Sequence, residues 1–300
     1  MDIAVISATA ILTTYAMIKA CRCLWLKIHN NFIKNVANFE TATGFEQLGF
    51  DTAQECHEKL VEPLLELVNA NMHQIEKECK AFYCYRKSGL VTWVTISFED
   101  DFKVINHSYR NQYFNSAVLK EEFLSGHETA EACYRVMYVY DGKRRELVFG
   151  EPHMLYDYEG KMRRRINFDL TAFPFSIEIW RNKSSLPDSL IMARKENMSE
   201  FERVGVEHPA LIGMAERYGQ DSELVAPHYT YFSGRIVSLS DMSEICDGYG
   251  FMVVTVKSQC FHINAIVKTD SLRKTPKVGQ YADVYGYLTG TVREKEFLDL

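Results

Sequence analysis

Residues 3 to 18, IAVISATAILTTYAMI, carry no charge, and Lys19 and Arg22 follow directly behind them. Such a run leaves water by spanning a membrane, by serving as an export signal, or by filling a core. A spanning helix wants about 20 apolar residues, while runs of about 10–14 belong more often to cores and signals. This one lies between, and the apolar trend resumes past Lys19 through Cys23, Leu24, Trp25 and Leu26. A signal peptide needs a basic stretch ahead of the apolar one, and only Met1 and Asp2 precede it. Lys19, Arg22, Lys27 and Lys34 all follow the segment, so the positive-inside rule puts the body of the chain in the cytoplasm. The expectation is a single-pass transmembrane helix over residues 3–26, with a buried N-terminal helix as the alternative.

The chain has 300 residues, a net charge of −6 and a pI near 5.9. That length suits two domains, or one with an appendage. The acidic balance argues against bulk nucleic-acid binding, which needs a surplus of positive charge to release counterions. The eight cysteines are scattered without framework spacing and read as reduced thiols.

Behind the anchor, Thr52 and Glu55 have capping-box spacing. Cys56, Leu60, Leu64, Leu67, Val68, Met72, Ile75 and Cys79 recur at three- and four-residue steps, so a helix is expected from Asp51 to Lys80, kinked at Pro63. From Ala81 the period changes to two. AFYCYR and LVTWVTISF flank Lys87-Ser88-Gly89 as a hairpin, and FKVINHS supplies a third strand. QYFNSAVLKEEFL reads as a helix ending at Ser125-Gly126. Two hairpins follow, one turning at Asp141-Gly142 and one at Glu159-Gly160, then a strand at FSIEIW. HPALIGMAERYG, residues 208 to 219, reads as a short helix.

From His228 the chain is β-rich: YTYFSGRIVSL, then GFMVVTVKSQCFHINAIVKT, then VGQYADVYGYLTGTV with glycines suited to bends. This rhythm over residues 228 to 295 resembles an OB-fold barrel, and the resemblance implies that the tail folds on its own. No internal repeat is visible. The expected class is α+β: an N-terminal anchor segment at 1–30, an α+β domain with antiparallel hairpins at 31–220, and a β-rich OB-like domain at 221–300.

Chemistry is sparse. The chain has no phosphate-binding Gly-Lys-Ser/Thr loop, dinucleotide fingerprint, nucleophile-elbow serine or paired-histidine zinc helix. Cys21 and Cys23 are too close in sequence for a zinc knuckle. Cys260 and His262 alternate on an expected strand, with Cys246 upstream, yet lack a fourth ligand. Cys84 and His107 are a second thiol–base pair that a sheet could join. No catalytic, cofactor-binding or metal residue is assigned, and no cofactor is expected.

The basic hairpin arms are the candidate anion-binding residues: Lys143, Arg144 and Arg145 after the first turn, and Lys161, Arg163, Arg164 and Arg165 after the second. With two-residue turns, Tyr138 faces Arg145 and Tyr156 faces Arg163, which sets guanidinium groups beside rings. The alternative is a solvated face balanced by Glu146, Asp157 and Glu159. The leading expectation is a non-catalytic, membrane-tethered cytoplasmic binding protein whose partners are the membrane and an anionic ligand or protein. One rival is a soluble enzyme with a pocket between the middle and C-terminal units. The other is an oligonucleotide-binding module stacking bases on Tyr229, Tyr231, Phe232 and Phe251.

Overall fold

A computed structural model describes residues 38–41, 73–77, 80–87, 89–97, 102–124, 132–151, 163–194, 197–213, 229–242 and 250–293. Their strands are β1 (Asn38–Thr41), β2 (His73–Lys77), β3 (Lys80–Lys87), β4 (Leu90–Ser97), β5 (Phe102–Tyr109), β6 (Asn115–Leu124), β7 (Ala132–Tyr140) and β8 (Lys143–Glu151). They continue with β9 (Arg165–Trp180), β10 (Ser189–Arg194), β11 (Asn197–Gly205), β12 (Leu211–Gly213), β13 (Tyr229–Asp241), β14 (Phe251–Ser258), β15 (Phe261–Lys268) and β16 (Tyr281–Val292).

The α+β expectation is therefore corrected to an almost wholly β architecture. Among the described residues the only helical pieces are single 3-10 turns at Lys183–Ser185 and Thr269–Ser271. No helix among them is long and apolar enough to cross a membrane, which overturns the single-pass transmembrane helix as a reading of this structure. Residues 3–26, and the capping box at Thr52 and Glu55, lie outside the described residues.

Three expected helices meet strands instead. The end of the first, His73–Lys77, pairs antiparallel with β3, with Ile75 opposite Phe82. Residues 115–124 form β6, where Asn115, Ala117 and Leu119 are buried and Ser116 and Val118 are not. A bulge between Leu119 and Glu121 then shifts the phase by one residue, so a period of two looks helical in sequence. Leu211–Gly213 pairs with β13, and the Ala210 amide donates to Ser233 Oγ at 2.9 Å. Pairing partners distant in the chain outweigh local propensity in all three.

The hairpins fare differently. β3 and β4 pair back from Lys87–Leu90, with Gly89 in the turn, and β5 pairs beside β4, where the period-two pattern places them. β7 and β8 pair from Tyr140–Lys143 backwards across Asp141 (φ 51) and Gly142 (φ 69). Positive φ at both turn residues matches the right-handed twist of the strands, and the sequence Asp-Gly is suited to it. The Glu159-Gly160 turn lies outside the described residues. FSIEIW is the second half of the long strand β9.

β1–β5 make one sheet, in the order β1-β5-β4-β3-β2. β10 pairs with β11, β12 lies on the edge of β13, and β6–β9 with β13–β16 close two rings. The first runs β6-β7-β8-β16-β9 and back to β6; the second runs β13-β14-β15-β9-β16 and back to β13. Both contain β9 and β16, which pair antiparallel from Tyr281–Trp180 to Val292–Phe168. The tail strands thus form a five-stranded ring whose fifth member, β9, lies outside residues 221–300.

One continuous core fills the rings. Phe149 and Phe168 stack at 5.0 Å between centroids, and Phe261 sits edge-on to Tyr138 at 4.7 Å. Each such ring, fully buried, contributes roughly 1.5–3 kcal/mol relative to exposure. Gly290 of β16 lies against the ring of Phe149, where a Cβ would collide with it.

Candidate functional site

The outer wall of the first ring is built by the alternation of β9, β6, β7 and β8. Arg165 stands opposite Val118, Val118 opposite Met137, and Met137 opposite Glu146. One step nearer the hairpin tip, exposed Arg144 stands opposite Val139, which is 63% exposed. Arg163 and Arg164 precede Arg165 in an exposed turn, with the Arg163 amide donating to the Leu119 carbonyl at 2.7 Å. Lys143 is exposed at the hairpin tip.

The two basic arms do not converge on one strand pair. On this wall β7 and β6 lie between β8 and β9, about 14 Å along the sheet at three strand spacings, while round the other side of the ring β16 alone lies between them. Lys120 and Arg135 occupy the interval, and the sequence reading passed over both. Lys120 is the bulged residue of β6 and had been assigned to a helix, so its outward direction had no signal. Arg135 sits with period two in ACYRVMYVY and could have been found.

Electrostatics divide this wall. Glu146 pairs with Lys120 and, at 3.5 Å, with Arg135, while Glu121 approaches Arg135 at 3.4 Å. Glu146 therefore balances Lys120 and Arg135 rather than the hairpin arm. Arg144, Arg163, Arg164 and Arg165 have no carboxylate within ion-pair distance among the described residues. Arg145 is opposite Tyr138 in register, yet its guanidinium lies over Tyr140, 5.6 Å from the ring centroid. Tyr138 turns inward and donates to Gln259 Oε1 at 2.9 Å. Lys161 and Tyr156 lie outside the described residues.

Between the sheet and the rings runs a buried polar seam. Asp169, 1% exposed, accepts from Arg293 Nε at 2.8 Å and from Arg110 Nε at 3.2 Å. Asn111 donates to Asn264 and Thr255, and Asn115 bonds both main-chain groups of His262. The Tyr109 amide donates to Thr171 Oγ1 at 2.7 Å. Every member has partners inside the protein, which makes this a structural lock joining β5, β6 and β9 to β14–β16.

The residues named for other chemistry separate. Cys260 lies in the β14–β15 turn, exposed as a residue but with its thiol half-buried, and that partial burial raises its pKa above the ordinary value. His262 follows on β15, stacked on Tyr113 at 4.8 Å; burial, then Lys257, lowers its pKa. Cys246 lies outside the described residues. Cys84 pairs with Trp93 and His107 with Thr92, so β4 stands between them. Of the four stacking candidates, Tyr231, Phe232 and Phe251 are buried in the core, and Tyr229 alone is partly exposed.

A histidine–serine contact absent from the sequence reading lies under the strap that leads into β12. His208 Nδ1 meets Ser233 Oγ at 2.5 Å, and Nε2 meets the Pro187 carbonyl at 2.5 Å. Ser233 is fully buried and also accepts from the Ala210 amide, so the pair fastens the strap to β13 rather than presenting a nucleophile. Nearby, burial and then neighbouring Asp283 hold the Tyr231 hydroxyl above its ordinary value. Burial also raises the Asp283 carboxyl, against a hydrogen bond from Trp180 Nε1 at 2.8 Å. No protein family, curated protein or solved structure matches this chain.

Proposed function

We propose that the protein is a non-catalytic binding protein whose first-ring outer wall receives an anionic partner through phosphate or carboxylate groups. The observation that carries this reading is the run of exposed guanidinium groups, Arg144, Arg163, Arg164 and Arg165, left without carboxylates among the described residues while Lys120 and Arg135 absorb Glu146 and Glu121. Guanidinium forks suit planar oxyanions, and a basic wall on an acidic protein concentrates such partners locally. The serine and histidine that do meet are buried in a packing role, which supports binding over catalysis.

The test is retention of the full chain on heparin and on vesicles containing anionic lipid. Arg144→Ala with Arg165→Ala should weaken binding about tenfold, the effect of two rim charges. Arg181→Ala, exposed on the second ring, should change nothing. Equal retention of the double variant and the parent would discard the proposal.

A further inference from the structure

The outer wall of the second ring has the opposite character. Across β13, β16 and β9 its rows run Arg235–Tyr281–Trp180, Ser233–Asp283–Glu178 and Tyr231–Tyr285–Ser176, with Ser233 and Tyr231 buried under the strap and the β16–β9 side open. The pairing shifts at Tyr285/Gly286, which leaves Phe175 as an extra residue on β9, 42% exposed. Its ring lies 5.1 Å from that of Tyr229 and 5.2 Å from that of Tyr285. The result is an aromatic surface of Phe175, Tyr229, Tyr285 and Trp180 with two carboxylates beside it.

Those carboxylates stand directly opposite each other on adjacent strands, an arrangement that is destabilising while both are charged. Among the described residues neither has a lysine or arginine within ion-pair distance. Arg235, on the same wall, turns its guanidinium toward Gly279, with one nitrogen 3.7 Å from where a Cβ would sit. His208 also faces Asp283, with its two ring nitrogens engaged by Ser233 and Pro187. The Tyr231 hydroxyl is buried beside this wall, next to Ser233 and Asp283.

We infer that this wall docks an arginine- or lysine-bearing segment of a partner protein. A cation here lies over ring faces, where the quadrupole attracts it, and within reach of two like charges whose repulsion it relieves. An apolar partner would bury both carboxylates unpaired, and an anionic one would add to the repulsion. Aromatic rings with two facing carboxylates between them thus favour a basic peptide, with Arg235 at the edge of the wall and turned toward Gly279. This site is independent of the basic wall on the first ring.

The experiment titrates the full chain against a fluorescently labelled oligo-arginine peptide, with oligo-glutamate as control, and reads anisotropy. The parent should bind the first peptide and not the second. Glu178→Gln and Phe175→Ala should each weaken binding about five- to tenfold, whereas Asp270→Asn, an exposed acid elsewhere, should leave it unchanged. Both substituted positions are exposed, so circular dichroism should match the parent. Equal losses from all three variants would reduce the binding to bulk charge and overturn the inference, as would no loss from the first two. Concentration-dependent self-association abolished by Glu178→Gln would put a second copy on the wall and overturn it as well.

Discussion

The two rings follow one plan and carry opposite surfaces. In each, a strand leads into a hairpin with a two-residue turn, and the hairpin leads to one of the shared strands: β6, β7, β8 and β9 in the first, β13, β14, β15 and β16 in the second. Each leading strand is bulged against its neighbour, at Leu119/Glu121 and at Ile236/Ser238. Each hairpin has a non-glycine residue at positive φ opening its turn, Asp141 (φ 51) and Gln259 (φ 49). Each ring closes through a parallel seam with the other's last strand: β8 with β16 at Gly150–Thr289, and β15 with β9 at Asn264–Thr171. Thr171 and Thr289 are themselves partners in the β9–β16 ladder, so the two seams meet there. Yet one wall presents arginines and the other carboxylates among rings. The backbone plan sets where side chains point and leaves their charge free, so one architecture carries two walls of different chemistry.

The sharpest way to break the comparison is to separate the rings. A fragment of residues 221–300 keeps β13–β16 and loses β9, which pairs with both β15 and β16. It should show no cooperative thermal unfolding by circular dichroism, because two strands are left with open edges. Sharp, reversible melting of that fragment would show the second ring to be self-sufficient and the sharing incidental.

A smaller effect tests the seam that holds the rings against the first sheet. Asp169→Ala leaves Arg110 and Arg293 facing each other without their carboxylate. Removing one partner of a buried pair costs about 3 kcal/mol or more, measurable by urea unfolding. A loss near zero would mean that the seam rearranges around the vacancy.

How much of this could be read beforehand divides along the same lines. The β7–β8 hairpin was legible because Asp-Gly fixes its turn locally, and the register that put Tyr138 opposite Arg145 followed from it. The tail strands were legible from apolar runs bounded by glycine and polar turns. β9 was legible only in pieces, as the second hairpin's return arm and as FSIEIW, since Pro174 breaks the pattern between them and only the bulged pairing with β16 joins them into one strand. β6 was mistaken for a helix because its bulge disguises the period. The doubled plan left no visible sequence repeat, as pairing geometry conserves neither side-chain identity nor charge. The basic arms could be named residue by residue, but not β6 between them, and Phe175 with Glu178 read only as residues of the FSIEIW strand until the ladder set them beside Tyr285 and Asp283.

The smallest expected effect concerns the acidic wall. Asp283 binds its proton more tightly in the folded chain than unfolded, chiefly through burial. The native state therefore holds more protons just above the ordinary carboxylate range of about 4, and stability falls as pH rises through that window. Asp283→Asn should flatten that decline while keeping an oxygen for Trp180, as followed by melting temperature from about pH 4, the ordinary value, upward to about pH 7. An unchanged slope would assign the decline to other groups.

The shared strands also set a schedule for synthesis. When β6 to β9 have left the ribosome, the first ring still lacks the strand that closes it, and that strand lies more than a hundred positions downstream at Tyr281–Val292. The second ring waits for the same segment. Pairings this distant form slowly, and unpaired edges stay exposed meanwhile. Neither ring can close until β16 arrives, so both are completed in one late event, and any shortening of β16 would leave two open barrels rather than one.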